Sequence, residues 1–268
     1  MNNTFGFIGA GNMGGALAQA VAKAVAPGNI TLADQCAEKA EALAKALGCN
    51  TSDAVTVAQN CGYIFLGVKP QVMAVALSQI APVLAARKDG FVLVSMAAGV
   101  AIADIRRMAG GNYPVIRIMP NIPASVNSGV ILYDTTDNVT EDTENYFCQA
   151  MRFSGLVDKL PEKLIDAGSA LSGCGPAFVS MFIEALADGA VACGLPRDKA
   201  LRYAAQTARG TAAMLVEKDM HPAALKDAVC SPGGSTIAGV QALEEGGLRG
   251  TAMDAVTSAY HRTLELGK

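Results

Sequence analysis

A glycine-rich turn between a short apolar run and an alanine-rich segment constrains the fold of this chain more than any other feature. The run covers residues 4–8, a helix is expected over residues 16–26, and the turn between them reads Gly9-Ala10-Gly11-Asn12-Met13-Gly14. With this spacing the first glycine makes the tight turn, the second lets the backbone approach a pyrophosphate, and the third lets helix and strand pack closely. The spacing alone is a weak signal in a chain with 28 glycines. The flanking strand and helix favour dinucleotide binding over a simple surface turn.

Short apolar segments alternate with helical ones through the first part of the chain. Strands are expected at residues 30–33, 63–68, 91–95 and 114–119, and helices at 37–47, 70–86 and 102–108. Nearly continuous apolar strands that alternate with helices indicate a parallel sheet covered on both faces. The predicted fold class is therefore α/β, with an N-terminal Rossmann-type, doubly wound parallel sheet.

The pattern changes near residue 162. Two further strands are expected before it, at residues 130–133 and 156–159, with a helix at 141–152. After it the strand signals vanish, and helical spacing recurs at residues 162–170, 177–193, 197–217, 223–229, 236–245 and 248–266. We predict a dinucleotide-binding domain over residues 1–161 and an all-helical C-terminal domain over residues 162–268.

Charge and composition exclude several classes of partner. The chain has 24 acidic and 21 basic side chains and a net charge of −3, so neither a nucleic acid nor a membrane is expected as partner. The longest uncharged run, residues 167–183, is interrupted by serine, glycine and proline and falls short of the roughly 18 residues that a span needs. The N-terminus lacks a secretory-signal pattern, which predicts a cytoplasmic protein. The seven cysteines and two histidines have no metal-ligand spacing, so no metal site is expected.

Asp34 follows the second expected strand, 20 residues after Gly14. In dinucleotide-binding folds a carboxylate at this place accepts hydrogen bonds from the adenosine ribose. It would also repel a 2′-phosphate, and no arginine follows in Gln35-Cys36-Ala37 to offset that repulsion. We therefore predict that NAD(H) is the favoured cofactor and that NADP(H) remains possible.

Two further loops follow later strands of the expected sheet. They read Val68-Lys69-Pro70 and Met96-Ala97-Ala98-Gly99. The carboxyl ends of parallel strands meet at one edge, where ligands of open α/β sheets bind. Lys69 could equally be a solvent-exposed lysine before a helix-opening proline, whereas the small residues of the second loop leave room for a flat ring. We predict that both loops contact the cofactor.

A glycine-rich loop also precedes one of the C-terminal helices. It reads Ser231-Pro232-Gly233-Gly234-Ser235-Thr236, and the helix is expected to be capped by Ser235 or Thr236. Free backbone N–H groups and the positive end of the helix dipole suit a small anion such as a carboxylate. A plain helix-entry turn would need only the cap, so an anion site and a simple turn both remain open at this point.

Several of these segments together resemble one known family, the pyrroline-5-carboxylate reductases. The resemblance is carried by residues 221–237, with their Ser-Pro-Gly-Gly-x-Thr element, and by residues 6–14, 68–70, 97–100 and 171–177. It runs nearly end to end and in order. Two positions depart from the family pattern: Ile122 stands where the family usually has Thr in a Met-Pro-Asn-Thr-Pro loop, and Asp34 stands where many members have a small or hydroxyl residue.

The resemblance implies reduction of L-1-pyrroline-5-carboxylate to L-proline by hydride transfer from NAD(P)H. It further implies a C-terminal domain that builds a homodimer, or a multiple of one, and contributes to the substrate site. Gly233, Gly234, Ser235 and Thr236 would hold the substrate carboxylate, and the Thr236 hydroxyl would reach the ring nitrogen and act as the catalytic group. Apolar helices carrying Met181 and Met214 agree with a self-associating domain, because they offer more apolar surface than a small core can hide.

Two other functions are compatible with a Rossmann domain followed by helices. A dehydrogenase of the β-hydroxyacid type needs a catalytic lysine on a helix of the second domain. The candidates by position lack a glycine-rich approach, and they are Lys163, Lys199, Lys218 and Lys226. A non-catalytic nucleotide-sensing regulator would need only the first domain, so the Ser-Pro-Gly-Gly-x-Thr element argues against it.

Overall fold

The computed structural model describes residues 1–266, and its first part is built on one eight-stranded sheet. The strands are β1 (Phe5–Ile8), β2 (Ile30–Ala33), β3 (Asn50–Thr51), β4 (Tyr63–Leu66), β5 (Val92–Ser95), β6 (Val115–Met119), β7 (Gly129–Thr135) and β8 (Gly155–Lys159). Their order across the sheet is β3-β2-β1-β4-β5-β6-β7-β8. The order reverses direction between β1 and β4, which is the point where open α/β sheets bind ligands.

Twelve α-helices lie within the described residues. They are α1 (Asn12–Ala22), α2 (Ala37–Leu47), α3 (Ala54–Asn60), α4 (Pro70–Ala86), α5 (Ile102–Ala109), α6 (Glu141–Met151), α7 (Glu162–Ser172), α8 (Gly175–Ala192), α9 (Arg197–Glu217), α10 (Pro222–Val229), α11 (Ser235–Glu245) and α12 (Leu248–Leu266). The predicted fold class is confirmed, because helices alternate with parallel strands up to β6 and only helices follow β8.

One strand departs from the predicted parallel arrangement. β7 pairs antiparallel with β6, while all other neighbouring strands run parallel. A parallel neighbour needs a crossover of a dozen or more residues, and only residues 120–128, which include the short 3₁₀ turn Ile122–Val126, separate these two strands. This connection is too short for a crossover, so β7 must run antiparallel to β6.

Side chains of the central strands form apolar layers on both faces of the sheet. Phe7 of β1 and Phe65 of β4 are paired in register and stack with ring centroids 4.4 Å apart on one face. Ile64 and Leu66 belong to the core on the other face. Because both faces are covered, these strands read as continuous apolar runs rather than alternating ones.

The chain divides into two compact units. The first contains Met1–Gly173 and the end of the chain from Tyr260, and the second contains Cys174–Ala259. α7 packs with the first unit, where Ile165 lies in a small apolar cluster with Met119 and Leu132. The boundary predicted between residues 161 and 162 comes from the sequence pattern and remains a prediction for where the functional domains divide.

One described stretch, Glu162–Ala192, contains 18 consecutive residues with a mean hydropathy of 1.4, which is long and apolar enough for a membrane-spanning helix. In the structure it is divided into α7 and α8, which are separated by Gly173 and Cys174. Length and composition are weak evidence for a membrane, because helices that pack against protein have the same properties.

Candidate nucleotide and substrate sites

The glycine turn after β1 has the close backbone packing that its spacing predicts. Gly9 has a φ of +106°, a conformation that side chains disfavour. A Cβ added at Gly14 would lie 2.1 Å from the Gly9 carbonyl oxygen, well inside van der Waals contact. Only glycine at position 14 lets α1 begin directly against the turn.

The start of α1 presents unused hydrogen-bond donors. Gly11 is its N-cap, and the backbone N–H groups of Gly11, Asn12, Met13 and Gly14 have no acceptor among the described residues. Nothing lies within 4 Å of a Cβ added at Gly11, so the space beside the turn is open. Four free N–H groups and the positive helix end fit the pyrophosphate of a dinucleotide.

Ala10 does not present a free N–H, because Asp34 already accepts it. The Asp34 Oδ2 atom accepts a hydrogen bond from the Ala10 N–H at 2.8 Å, and Oδ1 accepts one from the Cys36 N–H at 2.9 Å. Asp34 thus holds the glycine turn as well as standing at the predicted ribose position. A carboxylate has about four acceptor sites, so acceptor capacity remains for ribose hydroxyls.

A cavity of about 180 Å³ lies beside Asp34. Its other lining residues come from α2 and from the end of β3, and they are Ala37, Ala40, Glu41, Thr51 and Ser52. Among the described residues, the walls of the cavity therefore carry two carboxylates and two hydroxyls but no basic side chain. Such a lining suits a neutral polar group and opposes a phosphate.

The two other predicted cofactor loops lie at the same edge of the sheet. Leu66 pairs with Ile8 on one side and with Ser95 on the other, so the segments that follow β1, β4 and β5 leave the sheet side by side. The contact is close, since a Cβ at Gly67 would lie 2.6 Å from the Gly9 carbonyl oxygen.

The side chains of these loops differ in exposure. Lys69 is exposed and is the N-cap of α4, followed by Pro70 in its first turn, with Val68 half-buried before it. In the next loop Met96 is half-buried, Ala97 is buried and Ala98 is exposed. Ala98 is therefore the small side chain that this loop offers to solvent, beside the half-buried Met96.

The predicted substrate loop lies in the second unit, between α10 and α11. Gly233 has a φ of +67°, and the Gly234 N–H donates to the Ser231 carbonyl oxygen at 3.0 Å. A Cβ at Gly234 would come within 2.3 Å of the Ser231 Oγ atom. A side chain at Gly234 would therefore displace the Ser231 hydroxyl and lie 3.2 Å from the Ser231 carbonyl oxygen.

The prediction that Ser235 or Thr236 caps α11 is wrong. The N-cap is Gly234, and no side chain caps the helix, because the tight turn brings Gly234 rather than a hydroxyl residue to the cap position. Within residues 1–266, the N–H groups of Ser235, Thr236 and Ile237 and the Thr236 hydroxyl have no acceptor. The uncapped helix start keeps its donors available, which favours an anion site over a simple turn.

Two features, one at the α11 turn and one within the first unit, were not anticipated from the sequence. Ile237 adds a free N–H beside Ser235 and Thr236, whereas the Gly234 N–H is used within the turn. Arg117, in the middle of β6, is 3% exposed and pairs with Glu162 and Asp166 of α7. A charged residue inside the apolar string Val-Ile-Arg-Ile-Met was the available signal. Within the described part of the chain, no group of three or more His, Cys, Asp or Glu side chains could hold a metal ion.

Comparison with known proteins decides the family. The family model described as pyrroline-5-carboxylate reductase dimerisation matches residues 162–266, and the model described as NADP oxidoreductase, coenzyme F420-dependent, matches residues 4–99. Pyrroline-5-carboxylate reductase of Escherichia coli K12 is 40% identical over 271 aligned residues, covering 100% of both chains. The chain belongs to the pyrroline-5-carboxylate reductase family.

Solved structures of reductases from other organisms have the same fold. The pyrroline-5-carboxylate reductase of Coxiella burnetii aligns with a TM-score of 0.92 at 31% identity, covering 100% of both chains. The Plasmodium falciparum enzyme, crystallised with NADP bound, aligns with a TM-score of 0.86 at 32% identity and the same coverage. The family predicted from the sequence motifs is therefore confirmed, and so is its Rossmann-type fold with a helical C-terminal part.

Proposed function

We propose that this protein reduces L-1-pyrroline-5-carboxylate to L-proline, using NADH or NADPH as hydride donor. The observation that carries the proposal is the uncapped start of α11, with three adjacent free N–H groups at the turn where the family motif lies. When bound, the dihydronicotinamide supplies a hydride to C5 of the cyclic imine. The C=N π electrons move to the ring nitrogen, which holds the proton that balances the reaction.

The residues of the α11 turn bind and orient the substrate in this proposal. The N–H groups of Ser235, Thr236 and Ile237 hold the carboxylate, and the Gly233 and Gly234 backbone shapes the turn that aims them. The Thr236 hydroxyl, which has no partner among the described residues, lies beside the carboxylate site and hydrogen-bonds the ring nitrogen or its proton. A protonated imine is already electrophilic, so orientation is the protein's main contribution.

The cofactor residues proposed are those of the first unit. The free N–H groups from Gly11 to Gly14 hold the pyrophosphate, and Asp34 accepts the adenosine ribose hydroxyls. Val68, Lys69 and Pro70 border the phosphates, while Met96, Ala97 and Ala98 pack against the nicotinamide ring. Gly9 and Ala10 complete the turn, Ala10 through its hydrogen bond to Asp34.

We infer further that NADH is preferred to NADPH. A 2′-phosphate beside Asp34 would enter surroundings that already hold two carboxylates, Asp34 and Glu41. The hydroxyls of Thr51 and Ser52 line the same cavity and suit a free ribose hydroxyl. Since like charges repel and no basic side chain lines the cavity, the phosphate is disfavoured.

Self-association is proposed as the state in which the enzyme works, as a homodimer or a multiple of one. Large apolar side chains of the second unit are exposed in the single chain, for example Met181 at 70% and Val216 at 81%. Surfaces of this kind are buried against a partner in stable proteins. The net charge of −3 gives no reason to propose nucleic acid or membrane partners. Seven free cysteines fit a reducing compartment, which supports the cytoplasm.

Steady-state kinetics with pyrroline-5-carboxylate tests the proposed function. Oxidation of NADH and of NADPH is followed by absorbance in the presence and absence of the imine, with proline identified as the product. Turnover that depends on the imine supports the proposal. Binding of either cofactor without any turnover would reject it in favour of a nucleotide-sensing protein.

A further inference from the structure

Two helices of the first unit, α5 and α7, have no side-chain cap of their own and are capped from elsewhere in the fold. The N-caps of α5 and α7 are Ala101 and Pro161, and neither has a side chain that accepts a hydrogen bond. Carboxylates from other elements take the place of both caps. Asp134 of β7 accepts the Glu162 N–H at 2.6 Å, and Glu162 in turn accepts the Ile102 N–H at 2.7 Å.

Arg117 is the buried partner of the carboxylate that holds the start of α5. Its side chain is 4% exposed and donates to the Glu162 Oε1 atom at 3.2 Å and to the Asp166 Oδ1 atom at 2.9 Å. Glu162 and Asp166 lie four residues apart on one face of α7, so a single guanidinium serves both. The two half-buried carboxylates offset the desolvation of the buried guanidinium, and the guanidinium in turn fixes the carboxylate that holds the start of α5.

The segment that ends at Ile102 is the loop after β5, which carries Met96, Ala97 and Ala98. One end of this loop is fixed by the sheet, where Ser95 is fully buried and paired in register with Leu66 and Arg117. The other end is fixed at the start of α5, where the Glu162 carboxylate accepts a hydrogen bond from the Ile102 N–H. Gly99, with a φ of +72°, lies between the two anchored ends.

We propose that Glu162, supported by Arg117, is a positioning residue for the reaction: its hydrogen bond to Ile102 fixes the loop of residues 96–101 against the nicotinamide ring. This inference rests on the proposed function, which assigns that loop to the ring. It gives a role to the buried charge in a strand that is otherwise apolar. Cofactor binding depends on it less than turnover does, because the pyrophosphate and ribose are held elsewhere, at the glycine turn and Asp34.

Three variants separate positioning from simple stabilisation. Glu162→Ala removes the acceptor for Ile102 and one partner of Arg117. Asp166→Ala removes the other partner of Arg117 but leaves the Ile102 hydrogen bond in place, and is therefore the matched control. Glu162→Gln keeps an acceptor oxygen for Ile102 and removes the charge.

We expect Glu162→Ala to lower kcat by roughly 10- to 100-fold, the range for a reacting group displaced by a fraction of an ångström to an ångström. The Kd for NADH should change by less than about threefold, because the phosphate and ribose contacts lie elsewhere. Asp166→Ala should keep kcat within about threefold, and Glu162→Gln should recover most of the activity. Equal losses of kcat in Glu162→Ala and Asp166→Ala, or no rescue by Glu162→Gln, would overturn the proposal.

Amide hydrogen exchange gives a readout that does not need turnover. Peptides covering residues 96–105 should exchange faster in Glu162→Ala than in Asp166→Ala, while peptides of β4 exchange alike in both. If the wild-type protein failed to reduce pyrroline-5-carboxylate, the proposed function would fail, and the exchange result would still decide whether Glu162 holds the loop. Unchanged exchange over residues 96–105 in Glu162→Ala would refute the positioning role.

Discussion

Replacing Asp34 by asparagine is the sharpest test of how the first unit selects its cofactor. In the wild type, one negative charge of a 2′-phosphate would lie about 5 Å from the Asp34 carboxylate. The Coulomb repulsion between the two charges would be about 1 kcal/mol at the dielectric constant of water and about 3 kcal/mol at an effective dielectric constant of 20. Because Asp34 is half-buried, we expect the repulsion energy to lie between these two limits. Loss of the charge should therefore lower the NADH-to-NADPH ratio of kcat/KM by roughly 5- to 150-fold.

Asparagine is a better probe than serine because Asp34 also holds the glycine turn. Its two oxygens accept the Ala10 and Cys36 N–H groups, and asparagine can still offer its oxygen to Ala10, which is buried. Because Cys36 is exposed, its N–H can donate to water instead. We therefore expect Asp34→Asn to lower the free energy of unfolding by about 1 kcal/mol. Asp34→Ser loses both acceptors and leaves the Ala10 N–H unpaired, which should destabilise the protein by about 1 to 3 kcal/mol and weaken both cofactors.

The assay is kcat/KM for each cofactor at saturating imine, with thermal unfolding measured on the same samples. Glu38→Gln is the matched control, since it removes one negative charge from the exposed face of α2, which borders the cavity beside Asp34, but not from the cavity lining itself. The reasoning is refuted if the wild type already favours NADPH, or if Asp34→Asn leaves the ratio where it was. A change of ratio in Glu38→Gln as large as that in Asp34→Asn would show that only long-range charge matters.

Three further outcomes follow from the second unit. Thr236→Ala should lower kcat/KM by roughly 10- to 1,000-fold with cofactor affinity nearly unchanged, as for the loss of one positioned donor; near-wild-type turnover would remove the hydroxyl from the mechanism. Gly234→Ala should raise KM for the imine, because the new Cβ would displace the Ser231 hydroxyl and lie 3.2 Å from the Ser231 carbonyl oxygen, so that the turn must shift; Gly28→Ala in the first unit, with nothing within 4 Å, should behave as wild type. Light scattering should show a dimer or a multiple of one at micromolar concentration, and Met181→Glu should release monomer; a stable wild-type monomer would contradict the proposal.

Helix boundaries were predictable where the sequence carries an explicit start or stop. α2 and α4 have the predicted bounds because Gly48 ends α2 in the left-handed conformation and Pro70 begins α4. α1 begins at Asn12 rather than at residue 16, since the glycine turn itself forms its first residues. β3 and α3 were not predicted. β3 has only the polar pair Asn50–Thr51, and α3 is a seven-residue helix capped by Asp53, so neither has a periodicity to read.

The sequence identified the residues of the glycine turn, but not what holds that turn. The spacing of Gly9, Gly11 and Gly14 is a local property, and the close packing that explains it appears as predicted. The hydrogen bond from Ala10 to Asp34 joins two strand ends that are 24 residues apart in the chain, and no local pattern encodes it. The same holds for Glu162 and Ile102, which lie 60 residues apart.

The second unit shows a different limit of sequence reasoning. Its helices were predicted from their spacing, yet among its described residues only Ala187, Ala200 and Leu225 are buried. α8 has only Glu184 and Asp188 as charged residues along its 18 positions, a composition typical of a helix that is covered on most sides. Helical periodicity indicates which residues avoid water, but it does not identify the protein surface that covers them. Because the chain by itself leaves this surface exposed, the covering surface is best sought in a second copy, and the α11 turn in the same unit should be assayed only in the associated protein.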